Sequence, residues 1–197
     1  MNAKKIAFAA LTAAAIGFSG ASVAGPIPYP NAGVQNATSY SFTAATTGAV
    51  TAYFYGSTAG YTNELTLLIN GVATGIQGLN NHSSAYGASL VLGYANAGDT
   101  LVFKMINVSP GGVGPWYSDT SMNSDKVNHV YATDFAGDSV IGAGTFVAFE
   151  DLAGGGDFNY NDETFVFTNV ATSVPEPMSL LLASLGIMGL AATRRKK

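Results

Sequence analysis

The chain has no cysteine and few basic residues away from its ends, and each shortage excludes a class of protein. Without cysteine, disulfides and thiolate metal sites are impossible. Between residues 25 and 174 the only cations are Lys104 and Lys126, against eleven acids, so this segment carries a net charge of −9 although the whole chain carries −4. A segment this acidic cannot bind nucleic acid by neutralising phosphates. It should attract cations instead.

The spacings of common catalytic and zinc sites are also missing. The two histidines, His82 and His129, do not follow the His-x-x-x-His spacing of zinc sites, and we interpret both as surface or hydrogen-bonded imidazoles. No Gly-x-Ser-x-Gly nucleophile elbow of a hydrolase occurs either. The sequence therefore predicts a protein that is not an enzyme.

The N-terminal residues have the order of a secretory signal peptide. Lys4 and Lys5 precede an apolar stretch over residues 6–18, and small residues follow at positions 22–24. About 13 apolar residues are too few for a helix that stays in the bilayer, which needs about 20. We predict a signal peptide over residues 1–24, cleaved at its end.

The C-terminal residues combine three features in a fixed order. Val174, Pro175, Glu176 and Pro177 come first, an apolar run over residues 178–193 follows, and the chain closes on four cations. As a helix, at about 1.5 Å per residue, the run would be roughly 24 Å long, so it would span a ~30 Å bilayer core only with snorkelling or local thinning. The cations should stay on the cytoplasmic side, which places the rest of the chain outside the inner membrane.

This end resembles the PEP-CTERM sorting signal of Gram-negative bacteria, in which a Pro-Glu-Pro motif precedes a transmembrane helix and a basic terminus. The resemblance implies that an exosortase recognises the chain and processes it near the motif, and that export is coupled to exopolysaccharide production. The chain would be anchored in the inner membrane through its C-terminal helix before processing, and then lie at the cell surface or in the extracellular matrix. We therefore expect residues 174–197 to be a sorting signal.

The remaining residues, 25–173, have the pattern of one all-β domain. Short runs rich in Val, Thr, Phe and Tyr alternate with turn signals, and no stretch of about ten or more residues shows a helical period. Leu101, Phe103 and Met105 share one face of their run, as in a largely buried strand. The pattern predicts an antiparallel β-sandwich, jelly-roll-like, with a barrel as the alternative. The predicted strands cover residues 39–44, 49–55, 65–71, 99–106, 128–134, 144–150 and 163–170.

Two long polar loops are candidates for a binding site, because binding residues are often held on loops of a rigid scaffold. One surrounds His82 and the other surrounds Trp116, the only tryptophan. Trp116, Tyr117, Asp119 and Asn123 would form an aromatic platform with polar neighbours for a sugar ring. The alternative is that Trp116 packs beneath its own loop. The platform would make the protein a carbohydrate-binding module that recognises matrix polysaccharide.

The segment from Phe149 to Phe167, FEDLAGGGDFNYNDETFVF, contains five acids and no Lys or Arg. Carboxylate, amide and backbone oxygens are the ligands that Ca²⁺ collects, about six to eight at a time. Glycines after the first acids permit a tight loop, and Asp and Asn then alternate before the next strand. The sequence predicts a calcium site with the candidate ligands Glu150, Asp151, Asp157, Asn159, Asn161 and Asp162.

Two other interpretations of this segment stay open. Asp and Asn side chains also cap turns by accepting hydrogen bonds from their own backbone, and would then need no ion. Glu150 or Asp151 would instead pair with Asp157 or Asp162 if the segment supplied the acid and base of a glycosidase. A Gly-rich loop is poorly suited to hold two carboxyl groups at a fixed separation, which disfavours the enzyme.

The same segment resembles the C-terminal signature of domain of unknown function 4114. The matching order is Phe149-Glu150-Asp151-Leu152, a Gly-rich spacer, and then residues 157–162 with an apolar strand behind them. Asn159 stands where that family usually has Asp, which lowers the charge of the segment. The family occurs in exported bacterial surface proteins and large adhesins, so the resemblance implies a β-sandwich module of surface or matrix proteins.

These observations together predict an exported, non-enzymatic β-sandwich protein of the cell surface or the exopolysaccharide matrix of a biofilm, with Ca²⁺ as a stabilising ion. Its expected partners are an exosortase, exopolysaccharide or other surface proteins, and the inner membrane through the C-terminal helix.

Overall fold

The computed structural model describes residues 27–174. The predicted signal peptide and the predicted C-terminal helix lie outside the described residues. Inside this range, none of the helices has the length and hydropathy that crossing a membrane requires.

Eleven β-strands and two short 3-10 helices form the regular structure of residues 27–174. Runs of β-branched and aromatic residues supply most of the strands. The strands are β1 (Ser41–Ala44), β2 (Gly48–Gly56), β3 (Asn63–Ile69), β4 (Val72–Gly78), β5 (Ser89–Ala95), β6 (Thr100–Asn107), β7 (Trp116–Tyr117), β8 (Val130–Phe135), β9 (Gly144–Phe149), β10 (Glu163–Thr168) and β11 (Val170–Ser173). The 3-10 helices cover Thr120–Met122 and Ala153–Gly155.

The strands pair into two antiparallel sheets that form a sandwich. The first sheet has the order β11-β1-β6-β3-β4, with β7 added to β6, and the second has the order β5-β2-β10-β9-β8. Each ladder between neighbouring strands is antiparallel. The all-β antiparallel sandwich expected from the sequence is therefore confirmed.

The main core lies between the two sheets. Leu101, Phe103 and Met105 of β6 are almost fully buried, as their alternation predicts. The ring of Phe103 stacks on that of Phe167 in β10, with the ring centroids 3.9 Å apart, so the two sheets are in direct contact there. Removal of this apolar surface from water is the main stabilising term of such a fold.

A second apolar cluster lies on the other face of the second sheet. It contains Tyr55, Phe146 and Val166 from the strands, with Tyr29 and Tyr160 packed among them. The second sheet is thus buried on both faces, which explains why its strands β9 and β10 are nearly continuous apolar runs. Polar residues at the ends of these two strands therefore enter a buried environment.

Candidate functional site

The acidic segment is the connection between β9 and β10, and it folds back on itself at one end of the sandwich. Glu163 of β10 pairs with Phe149 of β9, and the Asp162 backbone N–H donates to the Phe149 carbonyl at 3.1 Å. The chain turns between them through three glycines, residues 154–156, which all have positive φ. As a result, the acids on the two sides of the connection become neighbours.

Three of these carboxylates are almost completely withdrawn from water. Glu150 is 1 % exposed, Asp151 is 3 % exposed and Glu163 is 0 % exposed. Acidic side chains are rarely buried to this extent unless they are paired. The ion pair found within residues 27–174 joins His129 to Asp125, so no Lys or Arg of that range neutralises the three.

Glu150 and Asp162 form one group of this cluster. Glu150 Oε1 accepts a hydrogen bond from Tyr160 N, and Asp162 Oδ2 accepts one from Asp151 N at 2.9 Å. Burial raises the pKa of Glu150 to about 8, and the charges of Asp162 and Asp157 add to the effect. Burial also raises the pKa of Asp162 to about 6, with the charges of Asp151 and Asp157 contributing. The group therefore resists carrying its full negative charge at neutral pH.

Asn63, Asp151 and Glu163 form a second group. Asp151 Oδ2 accepts a hydrogen bond from Asn63 Nδ2 at 2.9 Å, and the Asp151 carbonyl accepts one from Trp116 Nε1 at 2.7 Å. Burial raises the pKa of Glu163 well above its usual range, and the charges of Asp151 and Glu64 add to the effect. Neither Asn63 nor Glu163 belongs to the ligand set predicted from the sequence. Their alternation with core residues in β3 and β10 is the signal that identifies them.

Asp157, Asn159 and Asn161 lie in the loop itself and bond to its backbone. Asp157 Oδ1 accepts from Asn159 N at 3.2 Å, and Asn159 Oδ1 accepts from Asn161 N at 3.0 Å. The Asn161 carbonyl in turn accepts from Thr58 N at 3.1 Å. The first two bonds each join a side chain to the backbone two residues later, which is the turn-capping pattern of Asp and Asn.

The six predicted calcium ligands are thus divided between a buried group and the loop. Glu150, Asp151 and Asp162 come together at the ends of the strands, whereas Asp157 is exposed. Within the range that the structure describes, no three His, Cys, Asp or Glu side chains are arranged so that they could hold a metal ion. Calcium binding stays a prediction, and amide and backbone oxygens would have to complete any shell.

The sugar platform predicted at Trp116 is corrected by the structure, because the tryptophan is part of the core. Trp116 is 2 % exposed, and its ring stacks on that of His129 with centroids 3.9 Å apart and planes 7° apart. Asn123 is fully buried, and its Oδ1 accepts a hydrogen bond from Tyr117 N at 2.7 Å. Neither Trp116 nor Asn123 presents a surface to a polysaccharide.

Tyr117 and Asp119, the other two residues of the predicted platform, are half-buried. Lys104 Nζ lies 5.5 Å from the centroid of the Tyr117 ring. Asp119 Oδ1 accepts from Ser121 N at 2.9 Å and so caps the first 3-10 helix. Asp119 also lines an open groove of about 450 Å³. The four residues therefore do not form one exposed aromatic surface.

Both histidines are hydrogen-bonded, as the sequence indicates. His129 is buried, with Nδ1 2.9 Å from the Glu150 carbonyl and Nε2 3.0 Å from Asp125 Oδ2. His82 is exposed, with Nε2 3.2 Å from the Ala59 carbonyl. His129 therefore holds the backbone of the acidic segment in place.

Two family models match the chain. The model described as "Domain of unknown function (DUF4114)" matches residues 58–169, which include both groups of the carboxylate cluster. The model described as "PEP-CTERM protein-sorting motif" matches residues 173–196. Both resemblances seen in the sequence are confirmed. No curated protein and no solved structure matches the chain.

Proposed function

The chain belongs to the DUF4114 family, and on that premise we propose that it is a non-enzymatic structural protein of the cell surface or exopolysaccharide matrix, with a sandwich stabilised by Ca²⁺. Its PEP-CTERM motif indicates a surface protein that is anchored in the membrane, sorted and then processed by an exosortase. Exopolysaccharide or other surface proteins would be its partners after processing.

The observation that carries the proposal is the burial of acids without basic neighbours. Glu150, Asp151 and Glu163 are at most 3 % exposed, and the segment from 25 to 174 holds only Lys104 and Lys126 as cations. Burial without a counter-charge strongly disfavours the ionised form of a carboxyl group. A bound divalent cation would remove that penalty.

The residues that would hold Ca²⁺ are those whose oxygens meet at the end of β9 and in the loop behind it. Asp151, Asp157, Asn159 and Asp162 remain the foremost candidates, with Glu150 and Asn161 beside them. Carboxylate and amide oxygens are the hard ligands that Ca²⁺ selects. The ion would supply positive charge, and it would tie the Gly-rich loop to the sheet.

The same burial supports a role without catalysis. A glycosidase needs two carboxyl groups on either side of an open cleft that admits a sugar. Glu150 is 1 % exposed, and its Oε1 is occupied by Tyr160 N. A carboxylate held in this way is suited to stabilising the fold or binding an ion.

Thermal unfolding of the purified protein tests the proposal. After treatment with EDTA, addition of Ca²⁺ should raise the Tm, and a Ca²⁺ concentration of ~100 times Kd should add about 2.7 kcal/mol. For a domain of this size that is a shift of several degrees. Absence of any Ca²⁺ effect on the wild-type protein would refute the calcium part of the proposal.

Asp151→Asn is the variant that tests the ligand assignment with little change of structure. Its amide keeps the shape of the side chain and one oxygen that accepts from Asn63 Nδ2. We expect it to fold and to lose the Ca²⁺ response. Asp134→Asn, an exposed position of β8, removes one carboxylate elsewhere and should respond as the wild type does.

A further inference from the structure

At one end of the sandwich, three polar residues continue the alternating strand positions whose side chains point into the core between the sheets. Asn63 begins β3 and Glu163 begins β10, while Asp151 lies two residues beyond Phe149, the last residue of β9. Successive side chains of a strand point to opposite faces of the sheet. These three residues therefore point between the two sheets, as do the core residues two positions away in each strand. The core residues at these alternating positions are Leu65, Leu67, Val147, Phe149, Phe165 and Phe167.

The strands that carry this group belong to different sheets. β3 lies in the first sheet, and β9 and β10 lie in the second. The Asn63 side chain reaches across, since its Nδ2 donates to Asp151 Oδ2 at 2.9 Å. The group therefore sits where the two sheets meet.

Three oxygens of this group are buried with no hydrogen-bond partner. They are Glu163 Oε1, Glu163 Oε2 and Asn63 Oδ1. Both residues are 0 % exposed. Buried polar atoms are almost always paired, so two strands, one from each sheet, that both leave such oxygens unpaired point to a ligand that pairs with both.

Protonation of Glu163 would not satisfy these atoms. A neutral carboxyl group gains one O–H donor, which can pair with a single acceptor such as Asn63 Oδ1, and the carbonyl oxygen of Glu163 would still lack a donor. A Lys or Arg is not available, since the ion pair within residues 27–174 is the one between His129 and Asp125. The chemistry that satisfies several carbonyl and carboxylate oxygens together is a metal cation.

We infer that Asn63, Asp151 and Glu163 form a second, inner cation site that joins the two sheets and takes one Ca²⁺. The two carboxylates carry a charge of −2, which one divalent ion neutralises. Glu163 has both oxygens free for bidentate coordination, a mode common for Ca²⁺, whereas Mg²⁺ usually keeps several waters that a dry core would exclude. The inner site shares Asp151 with the calcium site of the proposed function and rests on it for the identity of the ion.

Glu163→Gln is the decisive variant. The amide has the size of the carboxyl group but no charge, so in EDTA we expect the variant to be at least as stable as the wild type. With Ca²⁺ the order should reverse, because the wild type gains stability from the inner site, whereas Glu163→Gln gains only what the loop site contributes. The affinity for Ca²⁺ should fall by more than the ~10-fold to ~100-fold that is usual for residues outside the metal shell.

The variant Asp157→Ala distinguishes Ca²⁺ binding at the inner site from Ca²⁺ binding in the loop. Asp157 is exposed and bonds to Asn159, so its removal should leave the inner site intact. A Ca²⁺ response as large in Glu163→Gln as in the wild type would overturn the inner site, and its loss in Asp157→Ala alone would then leave the loop as the calcium site of the proposed function. No Ca²⁺ response in the wild type would overturn both.

Terbium luminescence gives an independent readout. Trp116 is the only tryptophan, and its Nε1 bonds to the Asp151 carbonyl at 2.7 Å, so excitation of Trp116 should sensitise Tb³⁺ bound beside Asp151. We expect Ca²⁺ to displace the signal and Mg²⁺ to displace it poorly. Equal displacement by both ions, or an unchanged signal in Glu163→Gln, would contradict the inner site.

If Glu163→Gln fails to fold, Asn63→Asp tests the same site in the opposite direction. A third carboxylate should lower the stability in EDTA and raise the affinity for Ca²⁺. Unchanged affinity in Asn63→Asp would overturn the assignment.

Discussion

Trp116 and His129 lie face to face, with ring centroids 3.9 Å apart and planes 7° apart. Trp116 belongs to β7 of the first sheet, and His129 immediately precedes β8 of the second. Each ring also bonds to the acidic segment, Trp116 Nε1 to the Asp151 carbonyl and His129 Nδ1 facing the Glu150 carbonyl at 2.9 Å. The stacked pair therefore joins the two sheets and fixes the end of β9.

Trp116→Phe should destabilise the protein by about 1–3 kcal/mol, because the buried Asp151 carbonyl loses its donor while an aromatic ring remains. Urea unfolding with a shift of the midpoint at constant m would measure this. Tyr117→Phe changes the neighbouring, half-buried residue and should stay within about 0.5 kcal/mol of the wild type. Equal stability of Trp116→Phe and Tyr117→Phe would show that the bond to Asp151 contributes nothing.

The stability of the EDTA-treated protein should fall as pH rises from about 5 to about 8. The pKa of Glu150 is about 8 in the folded protein and about 4.3 in an unfolded chain. Between these values the folded state binds more protons than the unfolded state, so the free energy of unfolding decreases with pH. Asp162, whose pKa rises to about 6, adds to the decrease in the lower part of this range.

Chemical denaturation at a series of pH values would measure this dependence. Glu150→Gln should make the fall less steep, because the amide still accepts from Tyr160 N and does not titrate, while Asp162 and Glu163, whose pKa values are also raised, keep part of it. Saturating Ca²⁺ should also reduce the fall, since the ion favours ionised carboxylates. A free energy of unfolding that stays level or rises between pH 5 and pH 8 in EDTA would contradict the raised pKa values.

Gly155→Ala should be more destabilising than Gly154→Ala. Both glycines have positive φ, 82° and 75°, and a Cβ at such a position costs about 1–2 kcal/mol. A Cβ at Gly155 would overlap the ring of Phe158, whereas one at Gly154 would meet nothing within 4 Å. We expect overpacking to add about 1–3 kcal/mol for Gly155→Ala. Thermal unfolding of the two variants side by side would test this, and equal loss in both would show that Phe158 moves aside without cost.

Much of the fold can be predicted from the sequence, because alternating apolar residues indicate which face of a strand is buried. The seven predicted strands correspond to β1, β2, β3, β6, β8, β9 and β10. β4 escapes prediction because most of its residues are exposed and it contains Gly75 and Gly78. β5 escapes because Gly93 interrupts its apolar run. β11 escapes because it is a run of four mostly small and exposed residues, whose stability comes from the strand beside it.

The candidate site is only partly visible in the sequence. The acids between Glu150 and Asp162 stand out because they are close together along the chain. Asn63 is nearly ninety positions away from Asp151, and only the pairing of sheets brings them together. The burial of Trp116 depends in the same way on His129, so an aromatic residue in a polar loop gives no local sign of its partner.

The pairing of β11 with β1 determines how close to the domain the chain can be cut without loss of a strand. Ser173 is the last residue of β11 and lies opposite Ser41 in β1. A cut on the C-terminal side of Val174 leaves this ladder whole. A cut before Val170 would remove β11 and uncover β1 as an open sheet edge, where strands of other molecules can add. Processing that keeps β11 therefore leaves β1 paired on both sides, with β6 and with β11.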